Sequence, residues 1–274
     1  MKNILVPTDF SECASNATEY AIALSKILDA QIFLFTTLDI PKSWKDGELS
    51  PEQIQNIKNE KVLLQQWQKQ AKEENVEIKT FITGGNFLEN LEQQVNEVNA
   101  DFVIMGSHGV SGKQEYFIGS NTQKAVRKLH LPIIVIKNPV TDFGLKNVVF
   151  ASSFNENEKV AFQYLLDFLK PFSPETIHLL SIKTSGWFSQ SRLLMEEAMK
   201  DFQEMSLMYK SNTHLLQSFS IDAGVRKFSE EINADMIAVS HLERNTLSRI
   251  FTGSNVEALV NHAERPVLCI DIKE

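Results

Sequence analysis

The sequence predicts an α/β protein built from two consecutive copies of one unit, each an open-twisted parallel five-stranded sheet with helices on both faces. Three observations carry this. Short apolar runs without alternation recur between stretches of helical periodicity, which is the mark of parallel strands buried on both faces. The pattern occurs twice along the chain. The composition, 274 residues with 43% apolar and 23% charged, is that of an ordinary globular protein with room for two average domains.

The elements of the first copy follow in order. Residues 3–8 are an apolar run closed by a proline and read as a buried strand. Residues 13–29 carry Ala17, Ala21, Leu24 and Leu28 at helical spacing, with Ser11 as N-cap and Glu12 in the first turn. Ile32 to Phe35 is a second buried strand. Ser50-Pro51, a cap residue followed by proline at the first helical position, opens a helix over 51–74 with Ile54, Ile57, Leu64, Trp67 and Ala71 on one face. Val76 to Ile82 reads as a third strand, broken by Gly84-Gly85, and Asn86 caps a helix over 87–98. Phe102 to Met105 is a fourth strand. After a long loop, Ser120 opens a helix to Leu129, and Ile133 to Ile136 is the fifth strand. Right-handed crossovers limit the topology, but the alternation is compatible with both the flavodoxin-like strand order and the order 3-2-1-4-5.

The second copy is read from internal matches. Lys2-Asn3-Ile4-Leu5-Val6 is echoed by Lys146-Asn147-Val148-Val149-Phe150, and Phe10, Glu12, Ala17 and Tyr20 meet Phe154, Glu156, Ala161 and Tyr164 at the same offset. Further on, Asn99-Ala100-Asp101 matches Asn233-Ala234-Asp235, Gly119-Ser120-Asn121 matches Gly253-Ser254-Asn255, and Pro132 matches Pro266. The offset shortens from 144 to 134, so the second copy lacks about ten residues in its middle. The copies are placed at 1–140 and 141–274. Met195, Met199, Met205 and Met208, on or near a helix of the second copy, read as gap-filling core.

Charge and cysteine content narrow the function. A net charge of −8 and no basic run argue against nucleic acid, which needs clustered Lys and Arg. Cys13 and Cys269 give no disulfide framework and fit a reducing compartment. No stretch reaches the roughly 18 apolar residues that span a bilayer, and the N-terminus does not read as a signal peptide. The expectation is a cytoplasmic protein with no membrane partner.

In open parallel sheets, ligands bind beyond the carboxyl ends of strands where the order reverses. With the order 3-2-1-4-5, that crevice lies between the ends of strands one and four. Strand one ends in Pro7-Thr8-Asp9, and strand four runs into Met105-Gly106-Ser107-His108-Gly109. Gly119-Ser120 then begins a helix, whose free N–H groups and partial positive charge suit a phosphate. A Walker A loop is absent, as is any G-x-G-x-x-G run, and the histidines and cysteines have no metal-ligand spacing. His108 and Lys113 read as solvated loop residues.

The pattern Gly-x2-Gly-x9-Gly-Ser at Gly106, Gly109, Gly119 and Ser120, with an aspartate closing strand one, resembles the ATP-binding signature of the universal stress protein family. The resemblance extends over both copies. It implies the 3-2-1-4-5 sheet, a role in stress physiology, and an adenine nucleotide as ligand: ATP, with ADP, AMP and an accompanying Mg²⁺ left open. Carried over, Asp9 contacts the adenosine portion with Pro7 and Thr8 beside it. Leu38 lines the adenine pocket with Met105 nearby, and Gly106, Gly109, Gly119, Ser120 and Asn121 hold ribose and phosphates. The resemblance further implies pairing through the last strands, Ile133–Ile136 with Val267–Ile270 inside one chain, and a homodimer of whole chains. The second copy departs from the pattern. Ser153 replaces Asp9, Ser240 replaces Gly106 and Glu243 replaces Gly109, leaving only Gly253-Ser254. The expectation is a nucleotide-binding regulatory or stress-response protein that uses its first copy alone. The alternatives are a slow ATP hydrolase, for which Glu115 is the only further carboxylate in the loop, and a scaffold with both pockets empty.

Overall fold

The computed structural model describes residues 2–44, 49–107, 119–141, 143–184, 191–240 and 253–271; the side chains of Gly253 and Ser254 are not described. The chain forms two compact units, the first from the span up to Thr141 apart from 130–135, the second from those six residues and the span after Thr141.

The first unit alternates strand and helix: β1 (Lys2–Pro7), α1 (Glu12–Leu28), β2 (Ala30–Leu38), α2 (Pro51–Glu73), β3 (Ile78–Gly84), α3 (Phe87–Glu97), β4 (Phe102–Gly106) and α4 (Ser120–Lys128). The helices start where local chemistry directs. Ser11, Ser50 and Asn86 accept backbone N–H groups of the first turns of α1, α2 and α3, and Ser50 forms a reciprocal capping box with Gln53. The strands are parallel in the order β3-β2-β1-β4, with Leu5 opposite Phe33 on one side and Val103 on the other. Beyond β4, Ser107 N donates to Ile136 O at 2.9 Å. Ile4, Leu5, Phe35 and Phe102 are fully buried at the sheet centre, which places the carboxyl ends of β1 and β4 side by side.

Gly84 does not break the third strand. It is the last ladder residue of β3, opposite Leu38. A Cβ there would lie 2.6 Å from Pro41 O, so only glycine lets the chain leaving β2 fold across the end of β3.

The second unit contains β6 (Asn147–Ala151), α5 (Glu158–Leu169), β7 (Thr176–Lys183), α6 (Arg192–Met205), β8 (Ser211–Gln217), α7 (Ile221–Glu231), β9 (Met236–Ser240), α8 (Gly253–His262) and β10 (Val267–Ile270). Its parallel strands run β8-β7-β6-β9-β10. Residues 133–135 of β5 (Ile133–Ile136) pair antiparallel with β10, Val135 opposite Val267. The core is aromatic: Phe150, Phe162 and Phe202 are fully buried, with rings 4.9–6.2 Å apart. Met195 and Met199 belong to it. Met208 does not, because it follows the end of α6 and is 83% exposed.

The repeated triplet Asn-Ala-Asp is a clasp. Asn99 and Asn233 adopt left-handed φ values of 49° and 50° at helix exits, and the following Ala100 and Ala234 amides bond back into α3 and α7. Asp101 then accepts from Asn3 N at 2.7 Å, and Asp235 accepts from Lys146 N and Asn147 N at 2.8 Å. Each aspartate thereby fastens the start of its unit's first strand.

Candidate functional site

The site is built from the chain leaving β1. Thr8 N extends the ladder by donating to Phe35 O at 2.8 Å, and Thr8 Oγ1 accepts from Phe10 N at 3.0 Å. Phe10 is held at φ 58°, an uncommon conformation for a bulky residue. Asp9 Oδ1 accepts from Ser11 N at 3.1 Å, and Ser11 caps α1. The aspartate is thus oriented by the turn while its side chain stands exposed.

The end of β4 packs against this turn. A Cβ on Gly106 would lie 2.8 Å from the Cys13 carbonyl carbon and 2.9 Å from Ala14 N. The first neighbour that requires glycine here is therefore the backbone of α1. The α4 helix is fixed to the same strand end: Gly119 N donates to Ser107 O, and Thr122 Oγ1 donates to Gly106 O, both at 2.8 Å. Gly119 is its N-cap, and no side chain caps the helix. Ser120 is the first helical residue rather than the cap. The amides of Ser120, Asn121 and Thr122 therefore lie outside the helix's own hydrogen bonds.

A cavity of about 290 Å³ lies between these pieces. Pro7, Thr8, Asp9, Leu38, Met105, Gly106, Gly119, Ser120 and Asn121 all line it. Gly109 lies outside the described residues, as do His108, Lys113, Glu115 and Glu243. Ala14, Thr37, Asp39, Gly85, Phe87 and Thr122 line the cavity as well and were not sequence candidates. Gly85 and Phe87 could have been found by applying the carboxyl-end rule to the third strand. Phe87 stacks on Phe35 at 6.3 Å, and Thr37 Oγ1 lies 2.9 Å from Thr83 Oγ1, so that wall is braced.

The cavity is electrostatically divided. Asp9 and Asp39 stand on one wall, and the positive end of α4 stands on the other. Behind the acidic wall, the Glu60 carboxyl is raised above its ordinary range, mainly by burial and further by the Asp9 charge, while a hydrogen bond with Thr36 opposes the rise.

In the second unit the same turn recurs. Ser152 N donates to Leu180 O at 3.0 Å, Ser152 Oγ accepts from Phe154 N at 2.7 Å, and Phe154 has φ 55°. Ser153 and Ser240 are buried. Elsewhere in this unit His178 Nδ1 and His214 Nε2 lie 3.0 Å apart beside Phe228. Burial lowers both imidazoles, His178 to about 4. Among the described residues no three His, Cys, Asp or Glu side chains gather as metal ligands, and no helix is long and apolar enough to cross a membrane.

Comparison with known proteins gives one answer. The sequence pattern of the universal stress protein family matches residues 1–137 and again 144–271. Universal stress protein MJ0531 of Methanocaldococcus jannaschii is 28% identical over 141 residues, covering 50% of this chain and 83% of the relative. Universal stress protein MJ0577 of the same organism is 27% identical over 156 residues, covering 50% and 94%. The crystal structure of a universal stress protein from Archaeoglobus fulgidus covers 99% of this chain and 98% of its own, with a TM-score of 0.77 at 18% identity, a likeness of fold.

Proposed function

The chain belongs to the universal stress protein family, and from that premise we propose that its first unit holds an adenine nucleotide, ATP, in a regulatory or stress-response role. One observation carries the reading. Nine residues chosen from the sequence line a single cavity, with a carboxylate on one wall and an uncapped helix start on the other. The donor set fits the ligand: backbone amides of α4 and the Ser120 hydroxyl for phosphate, and Leu38, Met105 and Phe87 for an apolar ring.

In this reading Asp9 accepts hydrogen bonds from the adenosine portion, in the orientation set by Ser11 N. Pro7 and Thr8 flank it. Gly106, Gly109, Gly119, Ser120 and Asn121 face ribose and phosphates. The α4 dipole supplies a fixed partial positive charge that needs no reorganisation on binding. The second unit offers serine at the place of Asp9 and glutamate at the place of Gly109, and it binds no nucleotide.

Isothermal titration of the full chain with ATP and AMP tests this. The expected result is one site per chain, and at least tenfold weaker ATP binding in Gly109→Glu, which copies the second unit. Equal binding by both proteins, or two equivalent sites, refutes it.

A further inference from the structure

At the offset that aligns Phe10 with Phe154, Ala14 corresponds to Glu158. The two turns share their backbone geometry as far as Phe10 and Phe154, the residues just before the two helices open. Ala14 lines the cavity of the first unit. Glu158 is only 6% exposed, and its carboxylate turns back onto the residue that stands for Asp9. Ser153 Oγ donates to Glu158 Oε2 at 2.7 Å, Asn155 N donates to the same oxygen at 3.0 Å, and Asn155 Nδ2 donates to Ser153 Oγ at 2.7 Å. The second unit has therefore not lost the carboxylate of its crevice. It supplies one from five residues further along, and that carboxylate takes up the Ser153 hydroxyl and the Asn155 amide.

We propose that Glu158 is a built-in occupant of the second unit's crevice: its carboxylate fills the space that the first unit keeps open beside Ala14 and seals that crevice against a nucleotide. Three features of this chain converge on it. A binding site leaves donors unpaired until its ligand arrives, whereas the Ser153 hydroxyl and the Asn155 backbone amide are already spent on Glu158. Glu158 is also far larger than the alanine at the matching position, so its side chain takes up volume that the first unit leaves to the cavity. The helix has also been rebuilt around it. α5 begins at Glu158, whereas α1 begins at Glu12, the counterpart of Glu156. With that later start goes a buried serine, Ser240, at the position where the first unit tolerates only glycine. The proposal rests on the reading that the first unit's cavity holds a nucleotide, but its sealing half can be tested without one.

The test uses the full chain. Ser153→Cys is treated with a thiol reagent, and labelling at position 153 is followed by mass; the native Cys13 and Cys269 are buried, and burial pushes the Cys269 thiol up to about 12. Labelling is expected to be slow, at least tenfold slower than in Asp9→Cys. It should accelerate at least tenfold in Ser153→Cys/Glu158→Ala, with far-ultraviolet circular dichroism unchanged in each variant. Rapid labelling of Ser153→Cys, or no acceleration without Glu158, overturns the proposal. Transplanting the occupant as Ala14→Glu is expected to weaken ATP binding at least tenfold. Binding as in wild type would also overturn it. If the labelling results hold and the wild type binds no nucleotide, the crevice is sealed as proposed and it is the nucleotide reading of the first unit that fails.

Discussion

Replacing Gly106 by alanine separates two reasons for a glycine at the end of β4. The added methyl would lie 2.8 Å from the Cys13 carbonyl carbon and 2.9 Å from Ala14 N. Both are backbone atoms in the first turn of α1, so no side chain can swing aside. Relief requires α1 to back away from the sheet over Ala14 and Ala17, which are almost fully buried. Overpacking of this kind costs about 1–3 kcal/mol. At about 2–4 °C per kcal/mol for a chain of this size, the melting transition of the first unit should fall by roughly 2–12 °C. Differential scanning calorimetry without nucleotide is the assay. Ser240→Gly should give no matching gain in the second unit, where the helix already starts later. If Gly106→Ala melts with wild type and loses only nucleotide binding, the packing argument is wrong and the glycine serves the ligand alone.

Further expectations follow from the same structure. Ser120→Ala removes a hydroxyl but no helix cap, so stability should be unchanged, while ATP affinity falls by about 10–100-fold, the worth of one hydrogen bond to a charged group; titration with ATP decides. His178 has a native value near 4, below the ordinary 6.5, so the unfolded chain binds more protons between those values. Stability should therefore drop as pH falls through that window, by up to about 1.4 kcal/mol per pH unit, and His178→Phe should flatten the profile measured by urea denaturation. Glu158 shifts the opposite way, raised mainly by burial. The folded chain holds this proton more tightly than the unfolded one does, so stability declines as pH rises through its titration. Glu158→Gln keeps an acceptor for Asn155 N and should gain on wild type by up to about 1.4 kcal/mol per pH unit over that range, the gain vanishing in acid. Asp235→Ala should cost about 1–3 kcal/mol in the same denaturation assay, since it unfastens two amides at the start of β6.

Much of this was legible in the sequence because it is local. Ser11, Ser50 and Asn86 cap helices through amides two or three residues away, and that spacing is visible in any chain. The Asn-Ala-Asp triplets stand out as matches between the copies, but their fastening of each unit's first strand depends on partners far along the chain. What escaped depends on distant partners. Gly84 looked like a break because its neighbours in space, Ile40 and Pro41, lie more than forty residues earlier. The packing reason for glycine at 106 is hidden because nothing in its surroundings along the chain shows that α1 packs on it. Glu158 was passed over because substitution was counted position by position: serine at 153 reads as a lost carboxylate until the fold turns Glu158 back onto it. Met208 reads as core from its place near a helix, but it lies past the helix end and is exposed.

The central position of β1 has a consequence for the order of events on the ribosome. β1 is made before the other strands of its unit yet takes its place between β2 and β4, and its second flank stays bare until residues 102 and 103 arrive to pair with it. The fastening by Asp101 closes at the same moment. A nascent first unit is thus obliged to carry one naked strand edge through the synthesis of about a hundred residues, which at about 5–20 residues per second is an exposure of about 5–20 seconds during which chaperones or aggregation compete for it.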